Sequence, residues 1–237
     1  KLDESRGIPS ERATKVLIDL LREAKLELND LEYIASTGYG RYQMEQRDIQ
    51  ISDLTTTGRG ANHIYEEPRL VLDIGTQSTR ALRIDEKGKI IQFKMNERCA
   101  AGSGRFIERC SKYLVVPMEN VSELALKSVK PQQISSVCAV LSETEIINHV
   151  ALGVPVEDIF MGVFQSIADR AGTLLKRLKM DSEVYMTGGL VHMEAMQKAL
   201  QNVLDFDVHL DPQGHYAAAI GAARLGHQRA LKRTLAN

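Results

Sequence analysis

The chain has 237 residues, 43% hydrophobic and 26% charged, with 30 Lys and Arg against 31 Asp and Glu. This composition fits a folded globular protein with room for one large domain or two lobes of about 100 residues, and it excludes intrinsic disorder and collagen. The formal charge of -1, zero Trp and 5% aromatic content supply neither a basic field nor a base-stacking platform for nucleic acid.

No run approaches the roughly 18 to 20 unbroken apolar residues of a membrane span, and no charged-then-apolar leader opens the chain. No nucleic-acid or membrane partner is expected, and a cytoplasmic location is. Three cysteines, Cys99, Cys110 and Cys138, are too few and too odd in number for a secreted disulfide framework, so any chemistry they do is thiol or metal chemistry.

In chain order, residues 9 to 26 repeat Ala13, Val16, Leu17, Leu20, Leu21 and Ala24 at helical spacing and predict an amphipathic helix. Residues 31 to 36 read as a short buried strand ending at the turn Thr37-Gly38-Tyr39-Gly40-Arg41. Residues 51 to 65 are read as a helix, although Thr55, Thr56, Thr57, Gly58 and Gly60 are weak helix formers. Strands at 70–74, 80–85 and 90–95, joined by turns at Gly75 to Ser78 and Glu86 to Lys89, form a β meander. Helices follow at 103–114, 119–128, 142–152 and 156–179, then a strand at 183–186 running into Thr187-Gly188-Gly189. A helix at 192–203, a strand at 207–210 and a helix at 217–235 close the chain. Strands alternating with helices predict an α/β sheet covered on both faces.

Two turns carry candidate chemistry. Val71-Leu72-Asp73-Ile74-Gly75-Thr76-Gln77-Ser78 places a carboxylate at the end of a buried strand, followed by N–H groups and hydroxyls that can face an anion. Asp73 could hold a hydrated Mg²⁺ while the turn binds phosphate; the plain alternative is a hairpin turn with Asp73 as a turn former. Met186-Thr187-Gly188-Gly189-Leu190 is a second strand-to-glycine turn, where bare glycines would let a nucleotide lie on the backbone. Together the two turns suggest the two-lobed ATPase architecture shared by sugar kinases, actin and Hsp70.

Cys99 lies between a predicted strand and helix, and Cys138 lies just before a helix in which Ser142 and Glu145 are spaced as a capping box. Helix N-termini favour thiolate, the metal-binding form. Two thiolates cannot complete the four sites of a 4Fe–4S cluster, but two chains about a twofold axis can. The alternative is that both cysteines simply pack, as Cys110 is expected to do inside its helix. Glu143 and Glu145 are expected to serve the helix start, and His149, His192, His209 and His215 to be solvated or packed.

The motifs Asn96-Glu97-Arg98-Cys99-Ala100-Ala101-Gly102-Ser103-Gly104-Arg105-Phe106, the run from Ser135 through Cys138 to Ile147, Ser36 to Arg41, Val71 to Gln77 and Met186 to Leu190, in this order, resemble the ATPase family of 2-hydroxyacyl-CoA dehydratase activators and benzoyl-CoA reductase nucleotide-binding subunits (BadF/BadG/BcrA/BcrD type). The resemblance covers about residues 10 to 228. It implies an acetate and sugar kinase/Hsp70/actin-like α/β fold with ATP or ADP and Mg²⁺ in the interlobe cleft. It also implies a 4Fe–4S cluster shared across a dimer by Cys99 and Cys138 with their counterparts in a second copy or paralogous subunit. The partner would be a CoA-thioester reductase or dehydratase component, and the donor a low-potential carrier such as ferredoxin or flavodoxin. Such families open with a strand and phosphate loop, whereas this chain reaches a helix by residue 9, so residues 1–68 are expected to form a partial first lobe lacking its initial strands. Residues 69–237 would form the second lobe, with the phosphate loop, the cluster-ligand helices and the adenosine-side turn.

In this reading Asp73 organises Mg²⁺, Gly75, Thr76, Gln77 and Ser78 bind the β- and γ-phosphates, Gln77 orients the attacking water, and Gly188 and Gly189 flank the adenosine. Rival readings of the same fold are a non-redox ATPase, a small-molecule kinase, for which no convincing base stands out, and an Hsp70-like nucleotide-gated interaction module with inert cysteines.

Overall fold

A computed structural model describes residues 8–96, 103–135 and 139–235. The chain begins with α1 (Pro9–Glu23), β1 (Ala35–Ser36), β2 (Ile49–Gln50) and α2 (Asp53–Ile64). The expected strand at 31–36 contracts to two residues, because its only partner among the described residues, the unforeseen β2, is itself two residues long, and the Ile34 N–H is taken by the Asp48 carboxylate at 2.7 Å.

The meander forms as the sequence predicts: β3 (Leu70–Ile74), β4 (Thr79–Ile84) and β5 (Ile90–Met95). Next come α3 (Gly104–Tyr113), α4 (Val121–Leu126), α5 (Ala139–Ala151) and α6 (Val156–Lys176), then β6 (Val184–Thr187), α7 (Glu194–Gln201), β7 (Val208–His209) and α8 (Ala217–Leu235). The main sheet has the order β5-β4-β3-β6-β7, antiparallel within the meander and parallel from β3 through β6 to β7.

Alternation along the strands sends neighbouring side chains to opposite faces. Leu70, Leu72 and Ile74 join Val184 and Met186 in the larger core, built with Phe106, Phe160, Phe164 and Ile167. Val71, Leu82 and Ile84 point the other way, onto Ala61 of α2.

The glycines and threonines that make α2 a poor helix by propensity are what its packing needs. A Cβ on Gly60 would overlap the Ala217 carbonyl, and one on Gly221 would overlap that of Thr56, so α2 and α8 cross backbone to backbone. Tertiary packing overrides propensity here. At its start, Ser52 caps α2 by accepting from the Thr55 N–H at 3.3 Å.

One expectation is corrected. Helix α5 begins at Ala139, so Ser142 and Glu145 lie inside it and are no capping box. They reach back to the preceding segment instead: the Ser142 hydroxyl donates to the Ser135 carbonyl at 2.6 Å, and Glu145 accepts from the Ser135 N–H at 2.6 Å.

Candidate nucleotide site

The face of the sheet that carries Val71, Leu82 and Tyr185 also carries Asp73, Arg80 and Thr187, each two residues along its strand. Register completes the grouping, since Asp73 pairs with Arg80 across the antiparallel ladder and with Thr187 across the parallel one. Asp73 Oδ1 accepts from the Thr187 hydroxyl at 3.0 Å, and Asp73 Oδ2 lies 3.5 Å from Arg80 Nη1. The other guanidinium nitrogen, Nη2, lies 2.6 Å from Asp53 Oδ2, on the first residue of α2.

Burial pushes the Asp73 carboxyl above its ordinary range; the Arg80 charge and the Thr187 hydrogen bond pull it down, and the Asp53 charge pushes it up. The carboxylate is therefore poised against its surroundings, as groups at functional sites often are.

The predicted glycine turns meet at this point. Gly188 has φ +89°, and a Cβ there would overlap the Ile74 carbonyl and stand 3.1 Å from Asp73 Oδ1. Only glycine fits. Its N–H donates to the Gly214 carbonyl at 3.0 Å, and Tyr65 props the turn by donating to the Met186 carbonyl at 2.5 Å while accepting from the Asp211 N–H at 2.9 Å. Nothing lies within 4 Å of a Cβ on Gly189, which therefore presents open backbone.

The 75–78 turn is closed by the Gly75 N–H donating to the Ser78 carbonyl at 2.9 Å. Thr76 and Gln77 are exposed at its tip, while Ser78 is buried. The turn's carbonyls are also occupied. Gly104 and Arg105, the first two residues of α3, donate their N–H groups to the carbonyls of Gly75 and Thr76, each at 2.9 Å, and the Ser103 hydroxyl donates to Thr76 at 2.9 Å. The N-terminus of α3, whose first amides lack partners within the helix, is thus satisfied by the candidate phosphate turn.

Cys99 and Cys138 lie outside the described residues. Among the described ones, Cys110 is fully buried in α3, and burial pushes its thiol up to about 12. The helices that follow the other two cysteines in sequence, α3 and α5, are joined through the C-terminal half of α3: Arg109 Nη2 lies 2.6 Å from Glu143 Oε1, and the Tyr113 hydroxyl donates to Glu143 Oε2 at 3.2 Å. Glu143 thus bonds across to α3 rather than serving its own helix start. His192 and His215 pair at 3.0 Å, while His209 pairs with Glu183 at 2.9 Å and stacks on Tyr185.

The motifs of the sequence point to Asp73 and the glycine turns but not to Asp53, Arg80 or the docking of Ser103. Arg80 had a signal: a four-residue turn at 75–78 sets Ile74 opposite Thr79 and therefore Asp73 opposite Arg80.

An antiparallel meander extended by two parallel strands, with helices on both faces and an acidic strand-end turn against a glycine turn, defines the actin-like ATPase fold. A solved structure described as the activator of the 2-hydroxyisocaproyl-CoA dehydratase from Clostridium difficile with bound ADPNP superposes with a TM-score of 0.90 at 31% identity, covering 94% of this chain and 84% of that one. Residues 4–226 match the BadF/BadG/BcrA/BcrD ATPase family, and the chain belongs to it.

Two relatives illustrate its range. A subunit of the benzoyl-CoA reductase of Thauera aromatica is 37% identical over 224 residues, spanning 92% of this chain and 79% of that protein. The activator of lactoyl-CoA dehydratase of Anaerotignum propionicum is 34% identical over 227 residues, spanning 96% and 88%.

Proposed function

We propose that this chain is an ATP-hydrolysing iron–sulfur protein that passes low-potential electrons to a component that reduces or dehydrates a CoA thioester. The observation that carries this reading is the docking of α3, the helix following Cys99 in sequence, onto the carbonyls of Gly75 and Thr76 in the candidate phosphate turn. It offers a direct route from nucleotide state to the cysteine-bearing segments.

The donor set around Asp73 fits Mg²⁺, which prefers oxygen ligands and keeps several waters. Asp73 and Asp53 are carboxylates converging on one guanidinium, and Gly188 adds no side chain beside Asp73 Oδ1, which also accepts from Thr187. When bound, the ion would neutralise charge on the phosphates. Asp73 would orient its water shell, the turn from Gly75 to Ser78 would hold the β- and γ-phosphates, and Gln77, exposed at the tip, would position the attacking water. Gly188 and Gly189 would flank the adenosine side. Phosphoryl transfer rests on such positioning and charge stabilisation, so no nucleophilic side chain is required.

Cys99 and Cys138 supply two thiolates per chain, the ligand chemistry of an iron–sulfur cluster. The bridge from Arg109 and Tyr113, in the C-terminal half of α3, to Glu143 of α5 ties together the two helices that follow these cysteines in sequence. The cluster would provide one-electron transfer at low potential, completed by the matching cysteines of a second copy or a paralogous subunit. A turn that shifts with the γ-phosphate would carry α3 with it, and α5 through Glu143.

The names of the relatives supply the partner class: a reductase or dehydratase component acting on a CoA thioester. A ferredoxin- or flavodoxin-type donor, a cytoplasmic location, and a division into a partial first lobe through residue 68 and a second lobe from residue 69 belong to the same reading. No helix among the described residues is long and apolar enough to cross a membrane.

Oxygen-free purification followed by a MgATP turnover assay tests the whole. A brown protein with broad absorption at about 400 nm that hydrolyses ATP supports the reading. A colourless ATPase would reduce it to a non-redox member of the fold.

A further inference from the structure

We propose that Arg80 is an internal counter-ion that closes the nucleotide site to free divalent cations, so that a cation enters only together with a nucleotide. Arg80 comes from the middle of the sheet, not from a flexible edge, and only 7% of its surface is exposed. Its two terminal nitrogens are divided between two carboxylates from different elements, Asp53 at 2.6 Å and Asp73 at 3.5 Å. These are the oxygens that a hydrated cation would otherwise share. The remaining guanidinium nitrogen, Nε, is buried without a hydrogen-bond partner among the described residues. A buried donor of this kind normally has a partner, and an incoming phosphate oxygen is an acceptor of the right chemistry.

Charge arithmetic gives the consequence. Two carboxylates and one guanidinium sum to a single negative charge, a weak attractor for a lone dication in competition with its own hydration. A nucleotide brings phosphate charge of its own and offers the guanidinium a new partner, releasing the carboxylates toward the ion. Removing the guanidinium leaves two uncompensated carboxylates facing one another at a largely buried position, where Coulomb attraction to a dication is far stronger than in water.

The proposal rests on the reading of Asp73 as the carboxylate facing nucleotide-bound Mg²⁺, so its test omits nucleotide. Mn²⁺ alone is titrated into wild type, Arg80→Met, Arg80→Gln and Arg80→Lys, with free Mn²⁺ followed by electron paramagnetic resonance and folding by circular dichroism. Met and Gln variants are expected to bind Mn²⁺ at least about tenfold more tightly than wild type and to gain melting temperature on Mn²⁺ addition; the Lys variant, which keeps the charge, is expected to behave as wild type. A Met or Gln variant that folds only when Mn²⁺ is added also supports the proposal. A folded Met or Gln variant with wild-type Mn²⁺ affinity overturns it, as does a Gln variant that stays unfolded with the metal present. Failure of wild type to hydrolyse ATP would strike the functional reading and leave the Mn²⁺ comparison standing.

Discussion

The peptide N–H of Gly104, the first residue of α3, donates to the carbonyl of Gly75, the first residue of the candidate phosphate turn, at 2.9 Å. A Cβ on Gly104 would come within 3.3 Å of that same carbonyl, so a larger residue there would push the turn back by a few tenths of an ångström. In the proposed function, movement of the turn with nucleotide would pass to α3 through these backbone hydrogen bonds and the Ser103 hydroxyl.

The one side chain in that contact can be removed. Ser103→Ala deletes the hydroxyl bond to the Thr76 carbonyl, a neutral hydrogen bond with a net worth of about 0.5–1.5 kcal/mol. ATP binding and hydrolysis should stay close to wild type, while electrons delivered per ATP hydrolysed should fall by up to about tenfold. Parallel assays of phosphate release and partner reduction check this. A proportional loss of both would mean that Ser103 serves the turn itself and not its coupling to α3.

Asp73→Asn should separate stability from function. Burial raises the Asp73 carboxyl above its usual range. A raised folded-state value means that the protonated acid favours folding: the contribution is full below the unfolded value of about 3.9 and is lost as pH rises through the folded value. At neutral pH the ionised carboxylate is thus a load on the fold. Asn keeps an acceptor for Thr187, and Arg80 keeps Asp53. The variant should melt above wild type at pH 7, by about 2–4 °C for each kcal/mol relieved, with the advantage shrinking toward pH 4. MgATP hydrolysis should drop at least about a hundredfold. Scanning calorimetry across pH and a phosphate-release assay read the two effects, and a lower melting temperature at pH 7 would contradict the first.

The crossing of α2 and α8 admits no side chain. Gly221→Ala sets a methyl group into the Thr56 carbonyl and against the Gly60 nitrogen, and overpacking of this kind destabilises by typically about 1–3 kcal/mol, occasionally more. Since α2 carries Asp53 at its first turn, displacing the helix should also weaken nucleotide binding. Thermal denaturation together with ATP titration checks both; Gly153→Ala, at a turn with nothing within 4 Å but a φ of +73°, serves as a control that should lose stability without losing nucleotide affinity.

Much of this was legible in the residues. The apolar run at 70–74, the alternation of 80–85 and the turn chemistry of 75–78 give the meander, and strands alternating with helices give an α/β sheet, whose strand order only the structure supplies. The specific pairing of Asp73 with the Gly188 turn could be suspected but not drawn, because the register between β3 and β6 spans more than a hundred residues of chain. Asp53 was hidden for a different reason: it sits at the start of a helix whose Thr and Gly content argues against a helix, and only the contact with α8 explains that content. Ser142 and Glu145 misled because capping-box spacing also suits two residues one turn inside a helix that reach back to Ser135. Arg80 could have been read from hairpin register alone.

The most direct test of the central claim is the iron and acid-labile sulfide content of oxygen-free protein, wild type beside Cys138→Ala. The account predicts about four irons for every two chains of wild type, and a colourless variant without them. Wild type free of iron, or a variant that keeps the full complement, would contradict it.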